Sequence, residues 1–288
     1  MIKPCTARTI DSRDENAGLS LYASIHFTKD NMRLDDYFQK TKGFPSVQVI
    51  NLEEHPHRKQ YMIDQFRKYG LNYKIHTSKR FVDFKDKVDV EVISHDGYMS
   101  YTQIGIIINF VNAMKDWYYN TSESHVVICD DDISFESIEY WNFTWEQFFN
   151  RIPPCDLFQL IRIPFVVDPE TVNHLHLKVR YGRVWGSSFL FSREYVKHLL
   201  DLLHPSENVY KIVSENGTYE PCIENCLAYN YGKCINFPLL FENNFDFQPG
   251  DGKHDGYDCY KLISQYIVRH WWRTHGKHLT LDEALTFP

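Results

Sequence analysis

Three consecutive aspartates, Asp130, Asp131 and Asp132, close the apolar run His125-Val-Val-Ile-Cys129. Such a run reads as a buried strand that delivers carboxylates to the rim of a sheet. Side chains alternate along a strand, so the spacing predicts Asp130 and Asp132 on one side and Asp131 on the other. Two carboxylates on one side repel unless a cation joins them, and an all-oxygen donor set suits Mg²⁺ or Mn²⁺. These ions commonly complete their coordination with water and substrate phosphates, so a phosphorylated substrate is in view. The competing reading is a strand followed by a solvated acidic turn.

The elements that must position these carboxylates follow from periodicity. Ser46 to Leu52 reads as a strand, and His55 to Tyr69 as an amphipathic helix with Tyr61, Met62, Phe66 and Tyr69 on its inner face, closed by Gly70. Leu71 to His76 returns as a second strand. This β-α-β unit predicts a parallel sheet whose binding crevice lies at the strand C-termini. A charged excursion covers Lys79 to Asp96, and Thr102 to Tyr119 reads as an apolar helix leading into the aspartate strand. Further helices are expected over Trp141–Arg151, from a Ser192 cap to Leu203, over Pro221–Tyr231 and over Tyr257–Trp272, with strands over Asp156–Ile161 and Arg183–Phe191. The expected organisation is an irregular N-terminal extension over residues 1–44, then one α/β domain over residues 45–288 ending in a helix.

Composition excludes several classes. A net charge of −7 with no basic stripe argues against a nucleic-acid partner. No apolar stretch approaches the roughly 20 residues a transmembrane helix needs, and Met1-Ile-Lys-Pro-Cys5 lacks a signal-peptide core, so a cytoplasmic location is expected. Seven cysteines without framework spacing suit reduced thiols. Cys222, Cys226 and Cys234 raise a zinc question, but no fourth ligand stands at finger-like spacing.

Several blocks, taken in order, resemble glycosyltransferase family 25, which includes lipooligosaccharide and collagen galactosyltransferases. Val49-Ile-Asn-Leu-Glu-Glu-His-Pro-His-Arg58 is similar to the family's opening I-N-L-(D/E) strand and following arginine. Tyr101-Thr-Gln-Ile-Gly105 resembles its G-E-I-G-C helix start, with Gln103 replacing glutamate, and Asn109-Phe110 stands where Ser-His is usual. Val127-Ile-Cys-Asp-Asp-Asp132 resembles its E-D-D strand, Trp185-Gly-Ser-Ser-Phe-Leu-Phe-Ser192 its G-T-x-A-Y-L-I-S segment, and Pro221-Cys-Ile-Glu224 its P-x-D.

The resemblance implies a GT-A fold: a Rossmann-like, mostly parallel sheet flanked by helices. It also implies a Mn²⁺- or Mg²⁺-dependent transfer, with inversion, from a nucleotide sugar (UDP-linked by family resemblance) to a hydroxyl of a glycan or glycoconjugate acceptor. Asp132 is then the first metal ligand, Asp130 ligates directly or through water, and His254 in the glycine-rich loop is a further ligand. Asn51 and Leu52 are expected beside the base and ribose. Arg58 either approaches the diphosphate or holds an aspartate. Thr77, Gln103, Gly105, Asp131 and Gly186 are further donor-site candidates, and Lys253 a neutraliser of diphosphate charge. Trp185 is a candidate sugar platform. Glu224, at the acidic position of P-x-D, is the first candidate for the base that an inverting transferase needs, and Asp156 is the reserve.

Two other functions compete. Cys129-Asp-Asp-Asp-Ile-Ser134 also resembles the first motif of haloacid-dehalogenase-type phosphatases, with Asp130 as nucleophile and Asp132 as general acid. A transferase-like domain that binds a glycan without catalysis is the other, suggested by the replaced glutamate and Ser-His.

Overall fold

The computed structural model describes residues 34–94, 99–161, 180–181, 186–214, 224–229, 231–243 and 256–285. Its centre is a seven-stranded sheet in the order β2-β1-β4-β8-β6-β10-β7. These strands are β1 (Val47–Leu52), β2 (Tyr73–Ser78), β4 (His125–Asp130), β6 (Leu157–Gln159), β7 (Arg180–Tyr181), β8 (Ser188–Ser192) and β10 (Cys234–Asn236). Pairing is parallel from β2 through β1 to β4 and again between β6 and β10, while β8 runs antiparallel between β4 and β6 and β7 closes the edge antiparallel. The sheet is thus mostly parallel, as expected. Its C-terminal edge collects the ends of β1, β2, β4, β6 and β10 together with the start of β8.

Alternation along the strands builds two cores. Val47, Val49, Val127 and Cys129 face one side, against Met62 and Phe66 of helix α1 (Pro56–Tyr69) and Trp272 near the C-terminus. Ile50, Val126 and Ile128 face the other, against Ile104, Ile107 and Ile108 of α2 (Tyr101–Asn120) and Leu199 of α3 (Arg193–Leu203). A strand covered on both faces needs apolar residues at successive positions, which is why β4 reads as an unbroken apolar run.

Local signals set the element ends. Gly70 closes α1 in the left-handed region at φ 64°. Ser100 caps α2 in a capping box, accepting from the Gln103 backbone N–H while the Gln103 side chain accepts from the Ser100 N–H. Ser192 caps α3 by accepting from Tyr195 N–H.

Three expectations change. The segment before β1 is not irregular throughout: residues 34–40 are helical, and Tyr37 and Phe44 are buried in the same core as Met62. The Tyr37 ring meets Tyr69 edge-on at 5.3 Å, so this stretch belongs to the domain. The charged excursion contains the turn Phe81–Asp83 and a strand, β3 (Asp89–Ser94), which pairs in parallel with β9 (Val209–Ser214). Its partner lies more than a hundred residues away, so local pattern did not reveal it. The helix expected over Trp141–Arg151 is shorter, Trp145–Phe149, with Thr144 as its cap.

Candidate active site

β4 ends at Asp130, and Asp131 and Asp132 form a turn into the short strand β5 (Ile133–Ser134), which pairs with β11 (Phe241–Glu242). Because the strand stops at Asp130, the alternation expected for the triplet does not apply. All three aspartates line one cavity of about 570 Å³ at the C-terminal edge of the sheet. Its other walls include Ile50 and Leu52 of β1, Arg58 of α1, Lys79 to Val82 after β2, and Tyr101, Gly105 and Asn109 of α2.

The turn is held from four directions. Ile50 pairs with Asp130 in the sheet, so Asn51 comes level with Asp131 and its Nδ2 donates to Asp131 Oδ2 at 2.6 Å. Arg58 Nη1 donates to Asp131 Oδ1 at 3.2 Å. Just beyond, Gln65 of α1 donates to Ile133 O at 2.9 Å and accepts from Phe135 N–H at 2.7 Å. From the far end of the chain, Asn243 N–H donates to Asp132 O at 2.7 Å. Asn243 is fixed in turn by Tyr61 and by Arg269 of the C-terminal helix α4 (Gly256–Thr274).

This bracing divides the three carboxylates by role. Asp131 is 6% exposed and tied to a guanidinium and an amide, so its charge is spent inside the protein. Asp130 and Asp132 are partly exposed at the cavity. Behind them the fully buried Cys129 thiol is pushed well above its usual range, first by burial and then by the negative charges of Asp130, Asp132 and Asp131. That thiol stays neutral and is no nucleophile.

Two carboxylates with room beside them fit a divalent ion that keeps water and phosphate oxygens as its other ligands. Among the described residues no three His, Cys, Asp or Glu side chains converge into an all-protein metal cage. Cys226 and Cys234 are buried free thiols, each pushed up to about 12 mainly by burial. Cys222 lies outside the described residues.

The other sequence-predicted residues divide clearly. Leu52, Arg58 and Gly105 line the cavity beside the aspartates. Gly105 also allows α2 to close on the Phe81 turn, since a Cβ there would stand 3.0 Å from Phe81 Cβ. Asn51 is 1% exposed and acts on Asp131 from behind the cavity wall, not on a ligand. Gln103 is engaged in its capping box and does not line the cavity. Thr77 is exposed outside it and accepts from Lys59. Lys253, His254 and Trp185 lie outside the described residues.

Asp156 sits at the wrong edge of the sheet. It precedes β6, exchanges backbone hydrogen bonds with Lys233 and Ser192, and its carboxylate accepts from Lys233 N–H at 2.6 Å. Ser192 pairs with His125 at the start of β4, so Asp156 stands about five residues, or roughly 17 Å, below Asp130. It cannot share a substrate with the aspartates. The available signal was that a residue preceding a parallel strand belongs to the edge opposite the crevice.

Glu224 and Gly186 form a second cluster. Gly186 N–H donates to Glu224 Oε1 at 2.8 Å, and Gly186 O accepts from Gln159 Nε2 at 2.7 Å. Cys129 pairs with Ser188, and Gly186, two residues before Ser188, lies at the same edge of the sheet. Gly186 holds φ 137°, and a Cβ there would meet Ile161 Cγ2 at 2.9 Å. The reading of the sequence missed Glu54, Arg80, Phe81 and Tyr101 at the cavity. Tyr101 is 44% exposed there, edge-on to Phe81 and under Lys85.

No family model matches the sequence, and neither does any curated protein sequence. Among solved structures, the chain is similar to the glycosyltransferase GlyE of Streptococcus pneumoniae TIGR4, at 11% identity and a TM-score of 0.36 over 80% of this chain. The chain spans 63% of the length of that protein. HddC from Yersinia pseudotuberculosis matches at 9% identity, TM-score 0.33, over 73% of this chain and 77% of its own. Mouse xyloside xylosyltransferase 1 matches at 10% identity, TM-score 0.26, over 60% of this chain and 69% of its own.

Proposed function

We propose that the chain is a glycosyltransferase that moves a sugar from a nucleoside diphosphate donor to a hydroxyl of a glycan or glycoconjugate, with a divalent cation as cofactor. One observation carries this reading: Asp130 and Asp132 border a cavity large enough for a nucleotide while Asp131, between them, is tied to Arg58 and Asn51. The sequence blocks quoted above support family 25, a UDP-linked donor and inversion at C1.

Asp130 and Asp132 would hold Mn²⁺ or Mg²⁺, which when bound offsets the negative charge that grows on a departing diphosphate. The chain's own residues do the rest. Asn51, Arg58, Gln65 and Asn243 fix the acidic turn before any ligand arrives, so little reorganisation is needed. Tyr101 and Phe81 offer an aromatic wall for a nucleobase. Glu224, at the acidic position of the P-x-D block and joined to Gly186 near the same sheet edge, is the residue that would take the proton of the acceptor hydroxyl.

The test is a thermal-shift and turnover panel of UDP-, GDP- and CMP-linked sugars with and without Mn²⁺. A true donor raises the melting temperature by mass action, more so with metal, and releases its nucleotide on transfer or slow hydrolysis. A chain that no nucleotide sugar stabilises, with or without Mn²⁺ or Mg²⁺, is not this enzyme.

A further inference from the structure

We propose that Arg80 is the cavity's main contact for the anionic part of the donor, and that Glu54 is an internal competitor which the donor displaces. The assignment rests on the donor reading above. Glu54 follows β1 and Arg80 follows the neighbouring β2, and both line the cavity. Arg80 Nε donates to Glu54 Oε1 at 2.7 Å, and Arg80 Nη2 approaches the same oxygen at 2.6 Å. His55 Nε2 lies 3.3 Å from that oxygen as well. One carboxylate oxygen therefore gathers nitrogen groups from two loops at the cavity, as a phosphate oxygen would.

The contrast with Arg58 separates the two arginines. The Arg58 side chain is 14% exposed and its partner Asp131 is 9% exposed, so that pair is committed to holding the turn. The Arg80 and Glu54 side chains are 63% and 40% exposed, and an exposed pair is held weakly enough for a ligand to exchange into it. Lys79 beside Arg80 also lines the cavity and has no ion-pair partner among the described residues. Arg80 and Lys79 are thus the cavity cations open to an incoming anion, and Glu54 is positioned to oppose it.

The test is calorimetric titration of the full chain with UDP, GDP and inorganic pyrophosphate in Mg²⁺. Arg80→Ala should weaken the best of these ligands about tenfold or more. Glu54→Gln should tighten it by about two- to fivefold, the range an exposed ion pair represents. Glu53→Gln changes net charge equally at an exposed position off the cavity and should have less effect. In the Arg80→Ala background, the Glu54→Gln gain should shrink to that of the Glu53→Gln control, because the competition for Arg80 is gone. Unchanged binding by Arg80→Ala, or a Glu54→Gln gain that persists in full without Arg80, overturns the assignment and leaves the donor reading standing. Failure of the parent chain to bind any of the three ligands overturns both.

Discussion

Asp131 and Glu224 are both buried carboxylates, each 6% exposed, at the same edge of one sheet, yet their surroundings differ in kind. Asp131 is met by a guanidinium and a side-chain amide, in a turn whose flanking aspartates border open space. Glu224 accepts from the backbone N–H of Gly186, a glycine at positive φ, and does not line the cavity. Burial alone therefore assigns neither its role. What differs is whether carboxylates beside the buried one reach a cavity, and among the described residues Asp130 and Asp132 do so beside Asp131. Over β1, β2 and β4 the sheet edge opens onto the cavity. Over β8 and β6, hydrogen bonds join Glu224, Gly186 and Gln159.

Four substitutions sharpen or break that contrast. The largest effect is expected at Asp132: Asp132→Asn should lower turnover at least a hundredfold, on the order of 3 kcal/mol of transition-state stabilisation, while the melting temperature holds. A fully active variant would remove the acidic turn from the chemistry. Asp131→Asn should show the opposite balance, losing about 2–4 kcal/mol in urea denaturation because the buried Arg58 guanidinium loses its counter-charge. If it proves as stable as the parent, the division of labour within the triplet is wrong.

On the other side of the comparison, Gly186→Ala should cost about 2 kcal/mol, since a Cβ meets Ile161 at a backbone angle that side chains rarely adopt. Smallest in stability is Glu224→Gln, expected within about 1 kcal/mol of the parent because the amide oxygen can still accept from Gly186 N–H. Its transfer rate is the sharper readout. A large loss of transfer with donor binding intact marks Glu224 as the base, whereas unchanged transfer confines it to holding the Gly186 turn.

Much of the scaffold was readable residue by residue. β1, α1 and the Gly70 stop follow from period and a left-handed cap, and β4 from an apolar run buried on both faces. Gln103 shows how a local signal can be misread: the Ser100-x-x-Gln103 spacing is a capping box, and the side chain is consumed there. Asp156 shows a rule left unapplied, since its place before a parallel strand already put it on the far edge. Gln65 was readable as a helix-face residue, but not as the brace of Ile133 and Phe135, because the partners lie about seventy positions away.

The sequence by itself determined where the negative charge would emerge: an apolar strand can run buried only until its first carboxylates, and those must then reach the sheet edge. Only the tertiary structure decided how the three carboxylates share the work. Asn51, Arg58 and Asn243 arrive from other strands, a helix and the distant C-terminal region, and which aspartate they engage depends on register and packing. Hydrogen bonds and ion pairs act over a few ångströms, so long-range contacts, not order along the chain, determine which aspartate is buried against Asn51 and Arg58.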